Sequence, residues 1–194
     1  MSKKIMILSG SPRKNGNTNT VVGWFIEGAR EAGAEVELID AASLKSKFNG
    51  CIACLGCQKS DKFECEVDDE IKPVLARIPE KDVLVFATPV YFFGPNAQLK
   101  LILDRMYSLI KFKPDTGEIV HNLKHIKLGL ISTGGGDING GLHIVEQTFS
   151  TLASFNGSTL ESLLVPFASI TSDAIRYDKE LQERAFAFGR RLAM

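Results

Sequence analysis

The sequence lacks several things, and each shortage excludes a class of protein. Neither sign of charge is in excess: Lys plus Arg and Asp plus Glu both total 23 in 194 residues, for a formal net charge of zero. Nucleic-acid binders concentrate basic residues to meet phosphates, so nucleic acid is not an expected partner. No apolar run is long enough to span a bilayer, and no membrane association is expected. The opening segment, Met1 to Ser9, has too short an apolar core for a secretory signal and reads as a strand, which makes a reducing cytoplasm the expected location. Histidine is scarce, and His121, His125 and His143 are scattered, suggesting no ligand group. Without a Gly-x-Ser-x-Gly elbow, a serine hydrolase is not expected. Cysteine is missing from all but one stretch, which holds Cys51, Cys54, Cys57 and Cys65. Reducing conditions disfavour disulfides, so such a cluster points to metal binding or redox chemistry.

What is present suits one compact domain. Hydrophobic residues make up 44% of the chain, enough for a substantial core. With no repeat, linker or low-complexity tract, residues 1–194 are expected to form a single domain with a cysteine-rich insertion at about 45–68. Nearly continuous apolar runs at 4–8, 82–87 and 127–132 predict strands buried on both faces. Alternation at 35–39 and an apolar run at 158–165 add two more. Apolar residues at three- and four-residue steps predict a helix from Thr18, stopped at Gly33. Further helices are expected from the Asp68-Asp69 cap to about 78, with Pro73 in the first turn, and over 95–110, 140–155 and 172 to the end.

Five strands alternating with helices imply an α/β three-layer sandwich: a parallel five-stranded sheet with helices on both faces. The flavodoxin-like order 2-1-3-4-5 places a ligand beyond the carboxyl ends of strands one, three and four. The three unusual loops of this sequence follow those same three strands.

The first loop, residues 10–18, precedes a helix whose free N–H groups and positive dipole end suit a phosphate. Ser9, Ser11, Asn17 and Thr18 offer hydroxyl and amide hydrogen bonds, and Arg13 offers charge. A solvated turn with a helix cap accounts for the same residues. No Gly-Lys-Ser/Thr ends the loop, so it is not a P-loop, and it is not the dinucleotide fingerprint. The second loop, 88–95, is aromatic and suits a flat ring. The third, 133–137, is glycine-rich and lets a backbone approach a ligand closely.

GSPRKNGNT after a first strand resembles the phosphate loop of the NADPH-dependent FMN reductase superfamily, and TPVYFFGPNAQLKLILDR resembles its second flavin loop and following helix. The resemblance implies an FMN site in which Pro89, Val90, Tyr91 and Phe92, with Asn96, contact the ring. It also implies that Thr133, Gly134, Gly135 and Gly136 form the third flavin segment. Cys51-x2-Cys54-x2-Cys57-x7-Cys65 is similar to the compact motif of the iron–sulfur flavoproteins, which pair FMN with a [4Fe-4S] cluster. The interval to Cys65 is at the long end of that motif. Relatives known only as flavin reductases carry a like stretch before an Asp-Asp pair, so a cluster, free thiols and zinc all stand open. The family implies an enzyme passing electrons from NAD(P)H, a transient co-substrate, or from a reduced partner to FMN. Flavin N5 is then the reactive centre, and the electrons leave for a quinone, flavin, metal or protein acceptor. It also implies a homodimer or homotetramer. An electron carrier without enzymatic activity, or a thiol or metal sensor that has lost its flavin, is the alternative.

Overall fold

The apolar runs pair side by side in a computed structural model that describes residues 2–168 and 174–194. The first half of the chain forms β1 (Lys4–Ser9), α1 (Asn17–Glu31), β2 (Glu35–Asp40), α2 (Ile71–Arg77), β3 (Val83–Tyr91), β4 (Gly94–Pro95) and α3 (Ala97–Arg105). The second half forms β5 (Ile110–Phe112), β6 (Ile119–His121), β7 (Lys127–Thr133), α4 (His143–Asn156), β8 (Leu160–Val165) and α5 (Lys179–Ala193). The main sheet has six strands, not the expected five: β2-β1-β3-β7-β8 run parallel to their neighbours, and the two-residue β4 adds an antiparallel partner to the end of β3. Since β7 and β8 are its fourth and fifth parallel strands in chain order, this is the expected flavodoxin-like order.

Side chains alternate across the sheet and so build two cores. Met6, Leu8, Leu84, Phe86, Leu128 and Leu130 face one way and pack with Leu75 of α2, Ile102 of α3 and Phe149 of α4. Ile5, Ile7, Val83, Val85 and Ile131 face the other and pack with Phe25 of α1 and Phe188 of α5. Helices α1 and α5 touch backbone to backbone. A Cβ on Gly28 would lie 2.0 Å from the Phe186 carbonyl oxygen, and one on Gly189 would lie 2.0 Å from that of Phe25. Beside this contact the Phe25 and Phe188 rings meet edge-on, 5.4 Å apart.

The expected stop of α1 holds. Gly33 takes a left-handed φ of 88°, and Ala34 N–H donates to the Ala29 carbonyl at 3.0 Å, closing α1. The cap position of α2 falls one residue later than expected, on Glu70, whose side chain makes no capping bond; Asp69, just before it, accepts from Ile71 N–H at 3.1 Å.

Other boundaries differ. The helix expected over 95–110 stops at Arg105 and tightens into a 3₁₀ turn, Met106–Leu109, that leads into the short β5–β6 hairpin. That hairpin is too short to show in a periodicity reading. Strand β3 continues past 87 to Tyr91 and doubles back, Tyr91 pairing with Gly94 across a two-residue turn. Both turn residues, Phe92 and Phe93, are left-handed (φ 47° and 68°), without the Asn-Gly signal that marks such turns. A wide π turn, Ile138–Leu142, precedes α4. The last helix begins at Lys179, capped by Asp178, whose carboxylate accepts from Leu181 N–H at 2.9 Å. The expected start at Ser172 lies outside the described residues. Among those described, no helix is long and apolar enough to cross a membrane.

Candidate functional site

Parallel pairing sets the carboxyl ends of β1, β3 and β7 next to one another, so the three loops meet. Between them lies a cleft of about 190 Å³. Ser11, Arg13, Gly16, Asn17 and Thr18 line it from the first loop, Pro89, Val90 and Tyr91 from the second, and Thr133, Gly134 and Gly135 from the third. A larger trough of about 730 Å³ runs open along α4 and β8, but it is built from one helix and one strand and gathers none of the three loops. Convergence of donors, and not volume, marks the site.

Four residues expected in the site lie off the cleft lining. The Ser9 hydroxyl donates to Asn19 Oδ1 at 2.6 Å and faces a neighbouring hollow with Lys14 and Asp40. Phe92, 97% exposed, stands at the tip of the β3–β4 turn. Asn96, 1% exposed, is buried beneath the loops. Gly136 turns its carbonyl to Phe167 N–H at 2.9 Å. Conversely, two lining residues are absent from the set read from sequence. Gly16 was legible as a glycine at a helix entry, where its N–H donates to the Arg13 carbonyl at 2.9 Å. Ala168 carried no signal. It reaches the cleft because its N–H donates to the Gly134 carbonyl at 2.8 Å.

The loops are bonded to one another as well as to the sheet. Gly10 N–H donates to the Ala87 carbonyl at 2.8 Å, and the Ser132 hydroxyl donates to that of Thr88 at 3.2 Å. Thr18 and Thr133 share a hydroxyl–hydroxyl bond of 2.8 Å. Helix α1 carries no acidic residue in its first turn, so its positive end is not neutralised from within. A helix N-terminus, two hydroxyls and an arginine on one side, with a Pro-Val-Tyr wall on the other, fit a phosphorylated flat ligand. A Cβ built on Gly135 meets nothing within 4 Å, so that stretch of backbone is open to a neighbour. Among the described residues, no Asp, Glu, His or Cys lines the cleft.

The four cysteines line a second, much smaller pocket, about 20 Å³, together with Arg105 and Ser108. Cys51 and Cys54 are exposed, while Cys57 and Cys65 are buried. Protein groups hold this segment from three sides. Arg105, at the end of α3, donates to Asp69 Oδ2 at 2.7 Å, the Val67 carbonyl at 3.1 Å and Cys65 Sγ at 3.4 Å. Lys111 donates to the carbonyls of Cys57, Ser60 and Lys62. Gln58 exchanges hydrogen bonds with the backbone of Ile110 and Phe112. Burial pushes the Asp69 carboxyl up, but the Arg105 guanidinium and the N–H groups of Lys47 and Ile71 outweigh it and hold the group down at about 2. The buried Arg105 Nε and Ser108 Oγ find no partner among the described residues. Four thiols and two unpartnered donors around one pocket have the chemistry of a thiolate-bound, sulfur-rich group. The thiols are gathered but not converged: among the described residues, no three His, Cys, Asp or Glu side chains are placed to hold one ion.

The profile of the family described as NADPH-dependent FMN reductase matches residues 3–171. An iron-sulfur flavoprotein of Methanosarcina thermophila is 32% identical over 168 residues, 87% of this chain and 82% of that protein. Another, from Methanocaldococcus jannaschii, is 37% identical over 102 residues, which are 53% of this chain and 51% of the relative, so the match spans about half that relative's length. Among solved structures, the NAD(P)H:quinone oxidoreductase from Methanothermobacter marburgensis superposes with a TM-score of 0.77 at 20% identity, covering 99% of this chain and all (100%) of that one. An FMN-dependent NADH-azoreductase from Bacillus anthracis, in complex with FMN, gives 0.72 at 15% identity, covering 99% and 100%. At these identities the two structures show a shared fold.

Proposed function

The chain belongs to the NADPH-dependent FMN reductase family, and from that premise we propose that it is an FMN-dependent oxidoreductase whose flavin sits in the three-loop cleft. The observation that carries this reading is the meeting of a phosphate-suited helix end and a flat apolar wall in one cleft that, among the described residues, is lined by no Asp, Glu, His or Cys. Such a lining suits a site where the cofactor performs the chemistry and the protein binds and orients it.

In this reading Ser11, Gly16, Asn17 and Thr18 take the phosphate, with Arg13 adding charge. Pro89, Val90 and Tyr91 lie along the ring. The backbone from Thr133 to Gly135 meets the ring edge that becomes negative on reduction. Bound there, FMN would supply hydride acceptance at N5 and one- or two-electron transfer. The cleft, about 190 Å³, is smaller than the roughly 300 Å³ or more of pockets that enclose a drug-sized ligand, so a bound FMN would not be fully enclosed. NAD(P)H then docks transiently on the open side, and a quinone, flavin, metal or protein partner follows it there.

The cysteine pocket is proposed to hold a [4Fe-4S] cluster through Cys51, Cys54, Cys57 and Cys65. The shared pocket, its two unpartnered donors and the relatives named iron-sulfur flavoproteins support that assignment. Because the thiols are not converged, no step is derived through a cluster.

Anaerobic stopped-flow mixing of FMN-loaded protein with NADPH tests the enzyme reading. Rapid bleaching of the flavin absorbance is expected. Bleaching only after a reduced protein partner is added would instead identify an electron carrier, and failure to bind FMN at all would defeat both.

A further inference from the structure

Asparagine is among the best helix N-caps because its side chain can accept from the first free N–H groups. Asn96 stands at the N-cap of α3 with the extended backbone such a cap requires (φ −66°, ψ 156°), yet its side chain makes no capping bond. The side chain is turned inward. Its Nδ2 donates to the Gly10 carbonyl and, at 2.7 Å, to Gln98 Oε1. Its backbone N–H donates to the Thr88 hydroxyl at 3.0 Å, and that hydroxyl shares its one proton between the Pro89 carbonyl at 2.9 Å and Asn96 Oδ1 at 3.0 Å. Gly10 fits closely against it, for a Cβ there would lie 2.3 Å from Asn96 Oδ1 and 2.7 Å from Leu99 Cβ.

Gly10 opens the first loop and Thr88 the second. One buried amide therefore clamps the base of the phosphate cradle to the base of the ring wall, giving up a helix cap to do so. We propose that Asn96 is a positioning residue that sets the spacing between these two halves of the cleft, and through it the preference for a phosphorylated flavin over riboflavin. The inference rests on the flavin reading above. The physical reason is the unequal tolerance of the two contacts. Charge-assisted hydrogen bonds to a phosphate are directional and fail with small displacements, whereas apolar contact along a ring does not.

The test measures dissociation constants for FMN and riboflavin, by quenching of flavin fluorescence, in the wild type, Asn96→Asp and Thr88→Val. Aspartate keeps the shape but faces the Gly10 carbonyl with an acceptor. The isosteric Thr88→Val removes the other end of the clamp and serves where Asn96→Asp does not fold. FMN affinity is expected to fall about tenfold or more, as for a buried group left without its partner. Riboflavin affinity should change much less, so the ratio of the two collapses. Equal weakening of both ligands, or an unchanged ratio in a variant beside a wild type that discriminates, would overturn the positioning role and leave the flavin reading intact. A wild type that prefers riboflavin, or binds neither, would overturn the flavin reading and the inference with it.

Discussion

The hydroxyls of Thr18 and Thr133 lie 2.8 Å apart and buried, although 115 residues separate them in the chain. One belongs to the first turn of α1 and the other ends β7, and both line the cleft. One hydroxyl donates to the other, and the accepting one keeps its own proton for a third group. The pair thus fixes the helix end against the third loop, and in the proposed flavin site its remaining proton would be a donor for the ligand.

Replacing either threonine by valine should destabilise the protein by about 1–3 kcal/mol, because the remaining hydroxyl is left buried without its partner. The double variant should cost less than the sum of the two, with a coupling of about 1 kcal/mol. Urea unfolding of the four proteins measures this. Strict additivity would mean that the bond contributes nothing.

Gly28→Ala and Gly189→Ala should each lower stability by about 2 kcal/mol or more. Alanine normally favours a helix over glycine by about 1 kcal/mol. Here its methyl group would lie 2.0 Å from a carbonyl oxygen of the facing helix, and α1 and α5 must separate to admit it. Thermal melting of either variant decides which effect wins.

Asp69 and Arg105 form a buried ion pair at 2.7 Å. With its native pKa at about 2 against the ordinary 3.8, Asp69 binds its proton more readily in the unfolded chain. It therefore contributes about 2 kcal/mol of stability that is complete above pH 4 or so and is lost as pH falls towards 2. Asp69→Asn should cost about 3 kcal/mol at neutral pH, since Arg105 stays charged and buried, and should remove this part of the acid loss. Unfolding free energies measured between pH 7 and pH 3 test both statements.

Protein made anaerobically with iron and sulfide should carry both in stoichiometric amounts, and Cys54→Ser should lose them while still binding FMN. Iron and sulfide assays beside a flavin spectrum separate the two sites. Retention of the full iron content by Cys54→Ser would remove that thiol from the ligand set.

Short-range pattern by itself determined the five parallel sheet strands, the stop of α1 at Gly33 and the position of three loops beyond three strand ends. Apolar runs and helix caps depend on neighbours only a few residues away, so they can be read one after another. The lining of the cleft from Ser11, Arg13, Asn17, Thr18, Pro89, Val90, Tyr91 and the 133–135 backbone follows from that placement.

Only the tertiary structure decided that Ser9 turns to Asn19, that Asn96 leaves its helix cap for Gly10, and that Ala168 closes the cleft. The same holds for Lys111, which reaches back to the cysteine segment. Whether an asparagine caps its own helix or satisfies a carbonyl 86 residues away depends on what packs opposite. That partner exists only after the sheet has brought distant segments together, so no local pattern could record the choice.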